Sequence, residues 1–148
     1  TGGSGDVAQP LWASVSGGFD AATGNQYFFD GDGANRTLIF LNSGALAWGA
    51  GTYPNVGASD TNDNQHVFNY NGTDSSFQTN GTTLATGQNV NTGTNDGMTI
   101  GTRYTASNFL DGRIAEIVMF KSSGTTLSFS DAWVSRYISN NNLYFDIY

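Results

Sequence analysis

The stretch that most constrains this chain is its last third, residues 97–148, GMTIGTRYTASNFLDGRIAEIVMFKSSGTTLSFSDAWVSRYISNNNLYFDIY. Residues 113–120 (RIAEIVMF) are rich in β-branched and aromatic side chains and lie between Gly112 and a Ser/Gly cluster, which is the pattern of a strand. Both alternating faces of that run are mostly apolar, so it reads as a central strand covered on both sides. Residues 128–140 read as a helix. Ser128 or Ser130 can accept from the first free N–H groups, Asp131 suits the positive end of the dipole, and Trp133, Val134, Tyr137 and Ile138 form one apolar stripe. One helix cannot bury such a stripe alone and needs a sheet to pack against.

The rest of the chain reads as short β segments. Strands are expected at 26–30, 37–42 and 45–48, followed by a polar loop over 49–64 of a length that often carries function. Asn71-Gly72 and Asn80-Gly81 are hairpin dipeptides, since both residues accept positive φ, and they predict a meander of strands over 65–70, 73–79 and 82–86. Further strands are expected at 98–103 and 143–147. Residues 1–25 are weakly patterned, with Pro10 interrupting any ladder. They read as an N-terminal arm or edge segment ahead of a domain spanning 26–148.

Composition excludes several functions. Of 148 residues, 38% are hydrophobic but 14% are aromatic, so aromatic rings must supply much of the core. The net charge is −7, and the five basic residues, Arg36, Arg103, Arg113, Lys121 and Arg136, are scattered along the sequence. Nucleic-acid binding needs clustered cations on phosphates, and anionic membranes need the same, so neither partner is expected. No apolar run approaches the length of a spanning helix, and with no cysteine there is neither a disulfide frame nor a thiolate metal site. The neutral Ser/Thr/Asn/Gly surface is of a kind common in exported and virion-surface β proteins.

The motifs HVFNYNG (66–72), NG (80–81), MTIGTR (98–103) and FLDGRIAEIVMF (109–120), with YFFDGDG (27–33) upstream and Tyr137-Ile138 in the helix, occur in an order that resembles the laminin-G-like, concanavalin A-like jelly-roll family. The match covers about two thirds of the chain, and residues 36–65 are shorter than the family pattern. The resemblance implies an all-β fold: an antiparallel two-sheet jelly-roll sandwich with one short α-helix in the C-terminal region. It implies a place outside the cell or on a virion surface.

Catalysis is not expected. Glycosidases need two carboxylates flanking the scissile bond, whereas this chain has a single glutamate, Glu116, and no E-x-D-x-E strand. His66 is the single histidine, has no nucleophile-elbow motif beside it, and reads as structural. Asp30, Asp32 and Asn35 alternate as in some calcium loops, and Asp60, Asn62, Asp63 and Asn64 form a second oxygen-rich loop. Both loops admit a plainer reading as solvated turns, because Asp and Asn favour turns for backbone reasons. A sugar site needs aromatic platforms edged by amides and carboxylates. Trp48, Tyr53 and Tyr104 beside polar loops, with Asn62 and Asp63, are the candidates, and Trp12 joins them if the arm is ordered. Two functions remain open: a non-catalytic lectin-like module binding a glycan or cell-surface polysaccharide, with or without calcium, or a structural virion or surface-assembly protein contacting neighbouring subunits.

Overall fold

Short apolar runs between turn residues become strands, and a computed structural model describes residues 11–21, 23–32, 36–58, 61–91 and 97–121. Among these lie ten strands: β1 (Leu11–Phe19), β2 (Asn25–Gly31), β3 (Thr37–Asn42), β4 (Ala45–Ala50), β5 (Asn55–Ala58), β6 (Asn64–Tyr70), β7 (Ser75–Thr79), β8 (Thr82–Gln88), β9 (Met98–Ile100) and β10 (Gly112–Lys121). They pair antiparallel in two five-stranded sheets, ordered β10-β1-β6-β7-β8 and β5-β4-β3-β2-β9. The expected antiparallel sandwich is therefore present. The expected helix over 128–140 and the strand over 143–147 lie outside the described residues.

Aromatic rings do fill the space between the sheets. Phe19, Phe28, Phe29, Trp48, Phe68 and Phe77 are fully buried there with Val15, Ile39 and Leu41. Trp48 sits at the centre, with ring centroids 5.7 Å from Phe68 and 5.3 Å from Tyr70. His66 belongs to the same packing. Its ring lies 5.9 Å from Phe77, and Nδ1 is 2.9 Å from Thr79 Oγ1, so the residue is buried and structural.

The turns follow backbone chemistry. Asn80 and Gly81 have φ of 50° and 74°, the double positive φ that a two-residue hairpin demands. Asn80 Oδ1 also accepts from the Gln65 amide at 2.8 Å, while its Nδ2 donates to Asn64 Oδ1 at 2.8 Å, pinning the start of β6. Asn71-Gly72 behaves differently. Asn71 has φ −143°, and a 3₁₀ turn over Gly72–Asp74 intervenes before β7, capped by the Ser75 hydroxyl donating to Gly72 O.

Four expectations change. The supposed N-terminal arm contains β1, an interior strand between β10 and β6. The polar loop over 49–64 contains β5, and β9 is shorter than the 98–103 strand expected. The run 113–120 is not central. Among the described residues β10 is outermost in its sheet, and Ile114, Ile117 and Met119 are only partly buried against the core. A bulge explains the misread pattern: register shifts opposite Ser16/Gly17, leaving Ala115 out of the ladder. Ile114 and Ile117, three apart, then face inward together, which strict alternation forbids.

Candidate functional site

A second irregularity builds the site. In β2, Tyr27 pairs Phe40 while Phe29 pairs Ile39, so Phe28 is the extra residue. Phe28 and Phe29 both enter the core, and Tyr27 turns to the outer face of the β5-β4-β3-β2-β9 sheet with Leu38, Phe40 and Ala47. Tyr27 stacks on Phe40 at 5.0 Å, and Tyr53 meets Phe40 edge-on at 6.1 Å. Gly49 makes that last contact possible: a Cβ there would collide with the Thr52 carbonyl and come within 2.9 Å of Tyr53 Cδ1. The missing side chain lets the loop after β4 lie down on the sheet.

Asp30 organises the neighbouring end of this face. Its side chain is fully buried, with Oδ1 2.5 Å from Arg36 Nε and Oδ2 accepting from the Tyr104 amide at 3.0 Å. Thr99 Oγ1 adds a bond to the Asp30 carbonyl at 3.1 Å. One carboxylate thus fastens β2 to the approach to β3 and to the loop after β9. That loop is closed on itself by Arg103 N to Ser107 O at 3.0 Å and Leu110 N to Gly101 O at 2.8 Å. Above it Tyr104 is 38% exposed. The Arg36 guanidinium carbon lies 4.7 Å from its ring centroid and that of Arg103 lies 5.9 Å away. Both are cation–π distances. Arg103 Nε is buried and has no hydrogen-bond partner among the described residues.

The electrostatics are those of a held cation. Burial alone would lower the Arg36 pKa, but the hydrogen bond and charge of Asp30, with smaller contributions from Tyr53 and Tyr27, raise it above its ordinary value. Tyr53 is shifted up as well, first by burial and then by the Asp30 charge, against a lowering by Arg36. At any physiological pH this corner presents a charged guanidinium beside the neutral Tyr53 phenol. Arg36 meets Asp30 through Nε, and its side chain keeps 14% exposure.

The predicted site residues scatter. Tyr53, Tyr104 and Asp30 come together around Arg36. Trp48 does not: it has no exposed surface and packs in the core, because β4 turns it to the inner face. Asp63 ion-pairs with Arg113 Nε at 2.5 Å, while Arg113 Nη1 holds Asp20 at 2.6 Å and Nη2 donates to the Thr61 carbonyl at 3.3 Å. With Asn62 it forms an exposed loop laid against Gly18, and none of these contacts involves Arg36 or Tyr104. The calcium assignment loses Asp30, whose two oxygens are taken by Arg36 and Tyr104. Asp32 is exposed, Asn35 lies outside the described residues, and no cluster of three acidic or histidine side chains occurs among the described residues. Trp12 lies in β1, opposite Asn69 and Phe120. Sequence reasoning missed Arg36, Arg103 and Tyr27. The available signal was that two of five basic residues flank aromatic or acidic loop motifs, DGDGANR and RY.

No protein-family model matches the sequence, and no curated protein matches it either. Solved structures do share the fold. The CBM40 module of the Ruminococcus gnavus IT-sialidase bound to α2,6-sialyllactose superposes with a TM-score of 0.63 at 13% identity, covering 88% of this chain and 84% of that one. The same module bound to α2,3-sialyllactose gives 0.62 at 13%, covering 88% and 83%. Domains LG4-5 of the mouse laminin α1 chain give 0.55 at 15%, covering 84% of this chain and 40% of that one. The chain therefore has the jelly-roll sandwich of carbohydrate-binding modules and laminin G domains, as the resemblance implied. Among the described residues no helix is long and apolar enough to cross a membrane.

Proposed function

We propose that this protein is a non-catalytic glycan-binding module, displayed outside the cell or on a virion surface, and that its ligand is an acidic sugar. The observation that carries the reading is Arg36, held through Nε by buried Asp30 and set against half-open Tyr104. A guanidinium fixed on one edge offers parallel N–H donors to a carboxylate, the geometry in which Arg outperforms Lys. The exposed part of Tyr104 gives the apolar C–H edge of a sugar a surface to rest on, and Arg103 adds a second positive charge. The sialyllactose-bound CBM40 modules share the fold and support this ligand class. No calcium is assigned to the site.

A glycan array, run with calcium and with chelator, tests the proposal. Acidic glycans are expected to bind in both conditions and to be lost in Tyr104→Ala. Binding only to neutral glycans, or binding abolished by chelator, counts against it.

A further inference from the structure

The chain contains two Asn-Gly dipeptides, and both continue with threonine, so 71–73 and 80–82 are the same tripeptide, Asn-Gly-Thr. That sequence is open to a spontaneous reaction of the chain with itself. The main-chain nitrogen after an asparagine can attack the side-chain Cγ, and a glycine there puts no Cβ in the way. Local sequence alone makes the two positions equally reactive. Their folded surroundings make them different.

Asn80 is held at both ends of its amide. Oδ1 accepts from the Gln65 amide at 2.8 Å, and Nδ2 donates to Asn64 Oδ1 at 2.8 Å. The hairpin is closed beside it by the pairing of Thr79 with Thr82. Cγ cannot swing toward the Gly81 nitrogen until both side-chain bonds open. Asn71 stands instead at the N-terminal cap of the 3₁₀ turn over Gly72–Asp74, where its side chain makes no capping bond. The turn uses its main chain: the Asn71 amide donates to Ser75 Oγ at 2.7 Å, and its carbonyl accepts from the Asp74 amide at 3.0 Å. Asn71 and Gly72 are partly exposed, and Thr73 and Asp74 are exposed. Closing a ring at Asn71 therefore opens one bond of a surface turn, the one from Asp74.

We propose that Asn71 is a self-modification site, where the folded protein converts asparagine to isoaspartate and aspartate while Asn80 keeps its amide. The Gly72 nitrogen gives up its proton and bonds to Asn71 Cγ. The bond from Cγ to Nδ2 breaks, and Nδ2 leaves as ammonia. Water then opens the cyclic imide. Attack at the former main-chain carbonyl leaves isoaspartate, and attack at Cγ leaves aspartate. Both products add a negative charge, and isoaspartate also lengthens the main chain by a methylene.

The position matters because this turn is tied to the opposite sheet. The Gly72 carbonyl accepts from the Val90 amide at 3.2 Å. The carbonyl of fully buried Val90 accepts from the Ala50 amide at 2.9 Å and the Thr52 amide at 3.3 Å. A longer main chain at position 71 displaces the Gly72 carbonyl and slackens the hold of Val90 on the segment leading to Tyr53.

The test ages the purified protein in mildly alkaline buffer beside a second sample aged in denaturant. Peptide mapping follows each asparagine, and enzymatic methylation reports isoaspartate. Two side-chain bonds at Asn80 against one turn bond at Asn71 make Asn71 roughly tenfold faster in the folded protein. In denaturant the two are expected to convert at similar rates. Asn64→Ala removes one partner of Asn80 and should speed Asn80 about fivefold while leaving Asn71 unchanged. If that variant melts below the ageing temperature, the comparison of folded and denatured parent decides alone. Equal rates in the folded protein, faster conversion at Asn80, or an Asn71 that stays intact while the denatured chain converts overturns the proposal. In the isoaspartyl fraction amide exchange at Ala50 and Thr52 is expected to accelerate, and unchanged exchange there would sever the link to the Tyr53 segment. No arm uses a ligand, so the outcome is independent of the glycan reading.

Discussion

Replacing Asp30 with Asn removes one charge and one acceptor from a fully buried position. Asp30 serves two donors, Arg36 Nε at 2.5 Å and the Tyr104 amide at 3.0 Å. An Asn side chain has one acceptor oxygen, so one donor faces an NH₂ group instead. Breaking a buried ion pair by removing one partner costs about 3–5 kcal/mol, because the remaining charge is stranded. The Arg36 side chain retains 14% exposure, so part of its charge can rehydrate, which favours the lower end, about 3 kcal/mol. For a domain of this length each kcal/mol moves the melting temperature by roughly 2–4 °C, giving a fall of about 6–12 °C. The assay is thermal denaturation of Asp30→Asn, Arg36→Met and the double variant. The second substitution should cost little once the first is made, since it removes the stranded charge. Amide exchange at Tyr104 should accelerate in both Asp30→Asn backgrounds. A single-variant fall of less than about 2 °C, or strictly additive losses, would refute the claim that Asp30 holds this corner together.

Three other outcomes follow from the same geometry. Trp48→Ala should cost about 3–5 kcal/mol in denaturant unfolding through the cavity it leaves; loss of glycan binding with stability intact would return Trp48 to the site. Gly49→Ala should push the 52–53 segment off β4, weakening ligand binding more than it lowers stability, a split that calorimetry and melting curves can separate. Tyr70 is buried, its hydroxyl donates to Leu38 O at 3.1 Å, and burial pushes its pKa well above 10. Its folded pKa exceeds the unfolded value, so its contribution is intact below pH ~10 and lost as pH climbs from there toward the folded pKa. Stability should therefore fall above pH ~10, and Tyr70→Phe should flatten that slope.

The sandwich was legible because alternation and turn chemistry are local signals. Asn80-Gly81 announced its hairpin, and the aromatic content announced a ring-filled core. The errors share one cause. Bulges at Phe28 and Ala115 each insert a residue, and beyond them the faces invert relative to strict alternation. That is why residues 113–120 read as doubly buried and why Tyr27 and Asp30 were not seen to share an outer face. Pro10 drew attention to an edge, when the ladder of β1 begins one residue later. Tyr53 and Tyr104 were readable as loop aromatics. Trp48 looked the same in sequence, and only the inward turn of β4 separates it from them. Arg36 was marked in the sequence only by its place in DGDGANR, and its meaning as a site residue comes from buried Asp30, which spacing along the chain does not reveal.

The central claim is that Arg36 reads a sugar carboxylate, and titration calorimetry with sialyllactose and lactose against the parent and Arg36→Lys tests it most directly. Lysine keeps the charge that Asp30 needs but lacks the planar donor pair. The account predicts that sialyllactose binds at least about tenfold more tightly than lactose and that Arg36→Lys removes most of that preference, about 1.4 kcal/mol or more. Equal affinity for the two sugars, or a preference untouched by Arg36→Lys, would contradict it.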